Sequence, residues 1–212
     1  MKSFFSTVAV ATVAVAAVAG GVSAASLRQS RDLYPEVQMP AQAILDTYCD
    51  GTPIMSETET LEYTSGSFDG NCTIVLGERG ELKTGKFGTV TISGMLTVTT
   101  ADSPRESELQ VEEGSTLTAG SMDLAVKELQ VKKGATLSTT DGDLLVAALR
   151  QVEVEEMATV SAEAGSVSFV AGREVQIKKM ATVTASESIS ATAPKCEVEV
   201  PSTLTAPEKS VC

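Results

Sequence analysis

The chain has 212 residues, with 28 acidic against 16 basic side chains, no histidine and no tryptophan. A net charge of −12 repels phosphate backbones and argues against nucleic acid as a partner. The missing histidine removes the commonest general base, triad member and transition-metal ligand.

The N-terminus reads as a secretory signal over residues 1–24. Lys2 supplies the positive start, an apolar run extends from Val8 to Val18, and Val22-Ser23-Ala24 offers small residues for cleavage before Ala25. That run is shorter than the roughly 20 residues needed to cross a bilayer, so the expectation is a secreted, extracellular chain that does not span a membrane. Cleavage would remove Lys2 and no acid, leaving 15 basic against 28 acidic residues, or −13. Residues 25–38 are expected to form a flexible leader, in which Arg28 and Arg31 have the Arg-x-x-Arg spacing of a processing site.

A short capping helix is expected over residues 39–51, with Pro40 in its first turn and Gly51 just past its end. Four cysteines in a secreted chain point to two disulfides, and four allow three pairings. The two local pairs, Cys49 with Cys72 and Cys196 with Cys212, would staple one end each. Asn71-Cys72-Thr73 is an N-glycosylation sequon on the chain's single asparagine.

Residues 52–212 are dominated by a repeat. Val90-Thr-Ile92, Leu109-Gln-Val111, Leu129-Gln-Val131, Val152-Glu-Val154, Val175-Gln-Ile177 and Val198-Glu-Val200 follow one another at steps of 19, 20, 23, 23 and 23 residues. Each triplet is apolar-polar-apolar, the period of a strand with one buried face. A second series lies downstream: Thr97-Val-Thr99, Thr116-Leu-Thr118, Thr136-Leu-Ser138, Thr159-Val-Ser161, Thr182-Val-Thr184 and Thr203-Leu-Thr205. The gap from triplet to threonine is five residues in five coils and three in the last, where Pro201 shortens the turn. Ile74-Val-Leu76 followed by Glu81-Leu-Lys83 fits the same offset as an earlier coil. A looser third strand runs through Leu124 and Val126, residues 144–149, Val167 and Phe169, and Ile189 and Ala191. The predicted fold is all-β, a single-stranded parallel β-helix of about seven coils stacked roughly 4.8 Å apart. Residues 201–212 would cover its C-terminal end.

The turns between the first two strands carry Glu112-Glu113, Lys132-Lys133, Glu155-Glu156 and Lys178-Lys179 in consecutive coils. Stacking would alternate the sign of charge along the axis, which favours one register over a slip.

Gly114-Ser-Thr-Leu-Thr118, Gly134-Ala-Thr-Leu-Ser138, Met157-Ala-Thr-Val-Ser161 and Met180-Ala-Thr-Val-Thr184 resemble the coils of β-helical adhesins and surface proteins over residues 88–206. The resemblance implies surface attachment, matrix building or polysaccharide binding. With its middle apolar residue inward, each Thr-x-Thr/Ser turns two hydroxyls outward. The candidate face is therefore Thr97, Thr99, Thr116, Thr118, Thr136, Ser138, Thr159, Ser161, Thr182, Thr184, Thr203 and Thr205. It also resembles the threonine ladders of solenoid ice-binding proteins, so the expected partner is an extended surface: polysaccharide, cell surface or ice. A host-directed effector is a further alternative. No catalytic residue, cofactor site or metal site is identified. Asp141-Gly142-Asp143 is read as a turn, because calcium would need more oxygen ligands than the local sequence offers.

Overall fold

The computed structural model describes residues 41–54, 60–77, 80–100 and 107–212. The expected signal segment, leader, Arg28–Arg31 site and Pro40 lie outside the described residues. Within them the chain winds as a parallel β-solenoid of about six turns, and every strand pairing is parallel. Each turn contributes one strip to each of three walls. Long strands such as Glu81–Thr100 and Thr116–Val131 run around corners and serve more than one wall.

The first wall stacks residues 81–83, 108–111, 128–131, 151–154, 174–177 and 195–198. Its inward residues Leu109, Leu129, Val152 and Val175 are buried, because the period-two alternation commits one face to the core. The second wall stacks residues 89–92, 116–119, 136–139, 159–162, 182–185 and 203–205. The third begins at residues 50–54 and 72–76 and ends at residues 208–211. The core is a column of Val, Leu, Ile and Ala with Phe169 as its largest fully buried side chain.

Three assignments made from the sequence are corrected by this register. Val90-Thr-Ile92 lies on the second wall beside residues 116–119, while Leu82 precedes Leu109 on the first. The same wall-by-wall shift puts Ile74 on the third wall and Leu82 on the first, where the sequence suggested the first and second. All three walls share the apolar-polar-apolar pattern, so periodicity alone cannot tell them apart. At the other end, Val175 pairs with Cys196 and Ile177 with Val198, two residues earlier than the expected Val198-Glu-Val200. A shift of two preserves inward and outward parity, which hid the slip. The five-residue step from Val198 to Thr203 now matches the other coils, and no shortened turn at Pro201 is needed.

Helix Ala41–Tyr48 closes the N-terminal end, within the predicted 39–51. Leu45 is 1% exposed and lines the apolar interior with Ile74, Leu82, Val90 and Leu96. The Cys49–Cys72 disulfide, with Cα atoms 4.3 Å apart, pins the helix to the third wall. Residues 201–212 form one more coil rather than a separate cover. Thr203–Thr205 and Glu208–Val211 extend the second and third walls, and Cys196–Cys212 bridges strands across that coil. Both local disulfide pairings expected from the sequence are present.

The corner between the first and second walls places the charged pairs in register. Lys132 N–H donates to Val111 O, Glu155 N–H to Val131 O and Lys178 N–H to Val154 O, at 2.8, 2.8 and 2.9 Å. Lys132 and Glu155 close to an ion pair at 3.5 Å, whereas Lys178 turns to Glu153 on its own coil's predecessor. Exposed pairs contribute roughly 0–1 kcal/mol each, so their main effect is on register rather than on stability. One residue later the chain enters the left-handed region at Phe87, Gly114, Gly134, Met157 and Met180, with φ of 59°, 67°, 66°, 60° and 60°. Glycine adopts this conformation freely, while a side chain there costs about 1–2 kcal/mol.

Candidate functional site

The second wall is chemically uniform on its outer side. The middle residues Val90, Leu117, Leu137, Val160 and Val183 are at most 4% exposed, so their flanking hydroxyls face outward. One column runs Thr89, Thr116, Thr136, Thr159, Thr182, Thr203, and the other Thr91, Thr118, Ser138, Ser161, Thr184, Thr205. Ser65 and Ser67 pair with Thr89 and Thr91 and extend both columns by a coil. Rungs repeat at roughly 4.8 Å and the columns stand roughly 6.6 Å apart, from strand geometry. The wall carries no ionisable group. Thr118 and Ser138 hydroxyls hydrogen-bond across rungs at 2.8 Å, which orients both without closing the face.

Ten of the twelve residues read from the sequence lie on this wall as placed. Thr97 and Thr99 do not: they pair with Thr73 and Val75 on the third wall, and Thr97 also with Asp123. Thr89 and Thr91 take their place. A signal for them exists in the sequence. A small buried residue precedes the first threonine of five of the six rungs, at Gly88, Ser115, Ala135, Ala158 and Ala181, whereas Leu96 precedes Thr97. The corner has no room for a larger side chain there.

The other walls lack this uniformity. The third mixes Thr97, Asp123, Leu145, Ser168 and Ser190 in one outward column, and Leu145, Leu149 and Val170 are 42%, 59% and 50% exposed. The first is acidic and amide-rich. Glu81, Glu108 and Glu128 occupy one column on consecutive rungs. Burial, with the carboxylates of Glu81 and Glu128 beside it, raises the Glu108 pKa above the ordinary carboxylate value, against a hydrogen bond from Gln110 and the charge of Lys132. Its Oε1 is buried without a hydrogen-bond partner.

The folded state thus holds the Glu108 proton more tightly than the unfolded chain does. This group favours folding below the ordinary carboxylate pKa, loses that contribution as pH rises to its own raised value, and disfavours folding above it. Glu108→Gln is therefore expected to raise the melting temperature at pH 7, with the gain vanishing below about pH 4. Melting curves from pH 3 to 8 test this. An equal gain at every pH would assign the effect to packing instead.

The remaining candidates have structural roles. Asp143 Oδ1 accepts from the Ser166 N–H at 2.8 Å, and Thr140 Oγ1 donates to Asp141 Oδ2 at 2.9 Å. This is the turn expected at residues 141–143. Among the described residues no group of three or more His, Cys, Asp or Glu could hold a metal ion, and no helix is long and apolar enough to cross a membrane. Asn71 is exposed beside buried Cys72, and its Oδ1 accepts from the Met95 N–H at 2.9 Å. Comparison with protein families, with curated proteins and with solved structures gives no match.

Proposed function

We propose that this chain is a secreted, non-enzymatic scaffold that adheres through its second wall to an extended, repetitive extracellular surface such as a polysaccharide. The observation that carries this reading is the two-column array of hydroxyls, with methyls throughout the first column and at four of the six positions of the second, without a single charge on the wall. A ligand that repeats along one direction can contact successive rungs at once. The wall is held by backbone ladders, so little ordering entropy opposes binding. The two disulfides and the N-terminal signal pattern support an extracellular setting. The absence of histidine and of any titratable group on the wall supports adhesion without turnover.

A second reading, ice binding, is favoured by one specific feature: the first column is threonine in all six rungs from Thr89 to Thr203. The two readings share a face and differ in ligand. Thr136→Tyr with Thr159→Tyr places two bulky rings in the middle of that face without touching the core. The purified wild type is expected to partition onto microcrystalline cellulose or chitin, and the variant to lose most of that binding with an unchanged circular dichroism spectrum. Ice-crystal shaping without polysaccharide retention would move the assignment to ice. A folded wild type inactive in both assays would overturn the wall as a binding face.

A further inference from the structure

The corner beside the hydroxyl wall carries a feature that folding does not require. Its left-handed position is glycine in two consecutive coils, at Gly114 and Gly134, yet methionine in the next two, at Met157 and Met180. Both methionines are exposed, by 45% and 60%. A bulky residue at positive φ is a true conformational outlier, and an exposed apolar side chain gains little from burial in return. The packing at this corner is done by the next residue, Ala158 or Ala181, each 0% exposed. Gly134 shows that the corner closes without a side chain.

The same column holds one other exposed apolar group. Phe87, 76% exposed, occupies the left-handed position of an earlier coil. Its ring lies over Gly114, where an added Cβ would come within 2.5 Å of it. Each left-handed residue precedes the first threonine of its rung by two positions, as Met157 precedes Thr159 and Met180 precedes Thr182. Met157 and Met180 therefore stand on adjacent rungs along one margin of the wall, with glycine on the two rungs between them and Phe87.

We propose that Met157 and Met180 are binding residues, the apolar lip of a site whose floor is the hydroxyl wall, and that its occupant is a polysaccharide strand lying along the axis. This rests on the adhesive reading above and names its ligand class. Sugar rings present C–H faces and hydroxyl edges, and the site presents two exposed methionines beside an uncharged hydroxyl wall, with the charged turn residues Glu156 and Lys179 immediately preceding them in the chain. A strand along the axis meets Thr159 and Thr182 through its hydroxyls while its ring faces cover the two methionines. A charged polymer has no partner on this wall, and a purely apolar ligand would leave the hydroxyls unpaired.

The test is the Met157→Gly, Met180→Gly double variant, read by partition onto microcrystalline cellulose and chitin and by thermal melting. Glycine relieves the positive φ at both sites, so the melting temperature is expected at or above that of wild type. The partition constant is expected to fall roughly tenfold. A Met157→Gln, Met180→Gln variant keeps the backbone conformation and side-chain length while removing the apolar surface, and is expected to lose binding equally. Met157→Leu, Met180→Leu is expected to retain it. Binding by both the glycine and glutamine variants within about twofold of wild type would overturn the lip, as would loss of binding by the leucine variant. A wild type that ignores both polysaccharides would instead remove the adhesive reading beneath it. Loss of ice shaping by the glycine variant, without polysaccharide retention by wild type, would assign the lip to ice and overturn the polysaccharide.

Discussion

Val160→Asp should abolish the cooperative folded state of the central coils. Val160 is 0% exposed and sits on the second wall between Leu137 and Val183. Both wall neighbours are fully buried apolar side chains, and the nearby buried hydroxyl of Thr139 already donates to Gly142 O at 2.7 Å. An aspartate there must either bury an unpaired charge or take up a proton at neutral pH, and the unpaired carboxyl is unfavourable in both states. The largest single-residue losses, above roughly 4–5 kcal/mol, come from defects of this kind. In a solenoid each coil is stabilised mainly by its two neighbours, so one failed coil also exposes the coils above and below it. Circular dichroism melting and limited proteolysis read the result. Val160→Ile, which keeps the apolar column, should melt close to wild type. A near-native melt for the aspartate variant would mean that the hydroxyl columns, and not Val160, face inward.

The architecture was legible in the sequence because a solenoid writes the same short pattern many times. Alternation in Leu129-Gln-Val131 and Thr136-Leu-Ser138, at a nearly fixed offset, is enough to establish two stacked walls, and the alternating charged turns hold those coils in phase. What alternation cannot supply is the name of the wall. Thr97-Val-Thr99 and Thr89-Val90-Thr91 have the same local pattern, and only the residue before them separates a corner from the middle of a strand. The loss of phase begins where coil length varies, between Val90 and Leu109, and again near Cys196, where a cysteine stands in an apolar position. The left-handed corner positions were visible in principle, since Gly114, Gly134, Met157 and Met180 open four aligned segments. Their meaning depends on backbone conformation, which a methionine does not announce.

The corner between the second and third walls was not legible at all, and it carries the second large expected effect. Gly70, Gly94, Gly120, Gly142 and Gly165 stack there at uneven sequence intervals, so no fixed period reveals them. The reason for glycine is close backbone approach. At Gly165 an added Cβ would lie 2.6 Å from the carbonyl carbon of Gly142, 2.8 Å from the amide nitrogen of Asp143 and 2.6 Å from its Oδ1. That backbone cannot easily retreat. Asp143 O accepts from Met122 N–H at 2.9 Å, Asp141 N–H donates to Gly120 O at 2.9 Å, and Gly165 O accepts from Glu187 N–H at 3.2 Å. Relief would require separating rungs and weakening several ladder bonds together. Gly165→Ala is therefore expected to destabilise the fold by about 1–3 kcal/mol, the usual range of an overpacked site, and to lower the melting temperature by about 2–12 °C for a chain of this size. Gly142→Ala is the matched control. Its Cβ would meet the Ser121 Cβ at 3.1 Å and little else within 4 Å, and a side-chain contact can shift where a backbone cannot. The loss at Gly142 should be less than half that at Gly165. Equal losses would show that glycine serves chain entropy at this corner rather than the close stacking of one coil on the next.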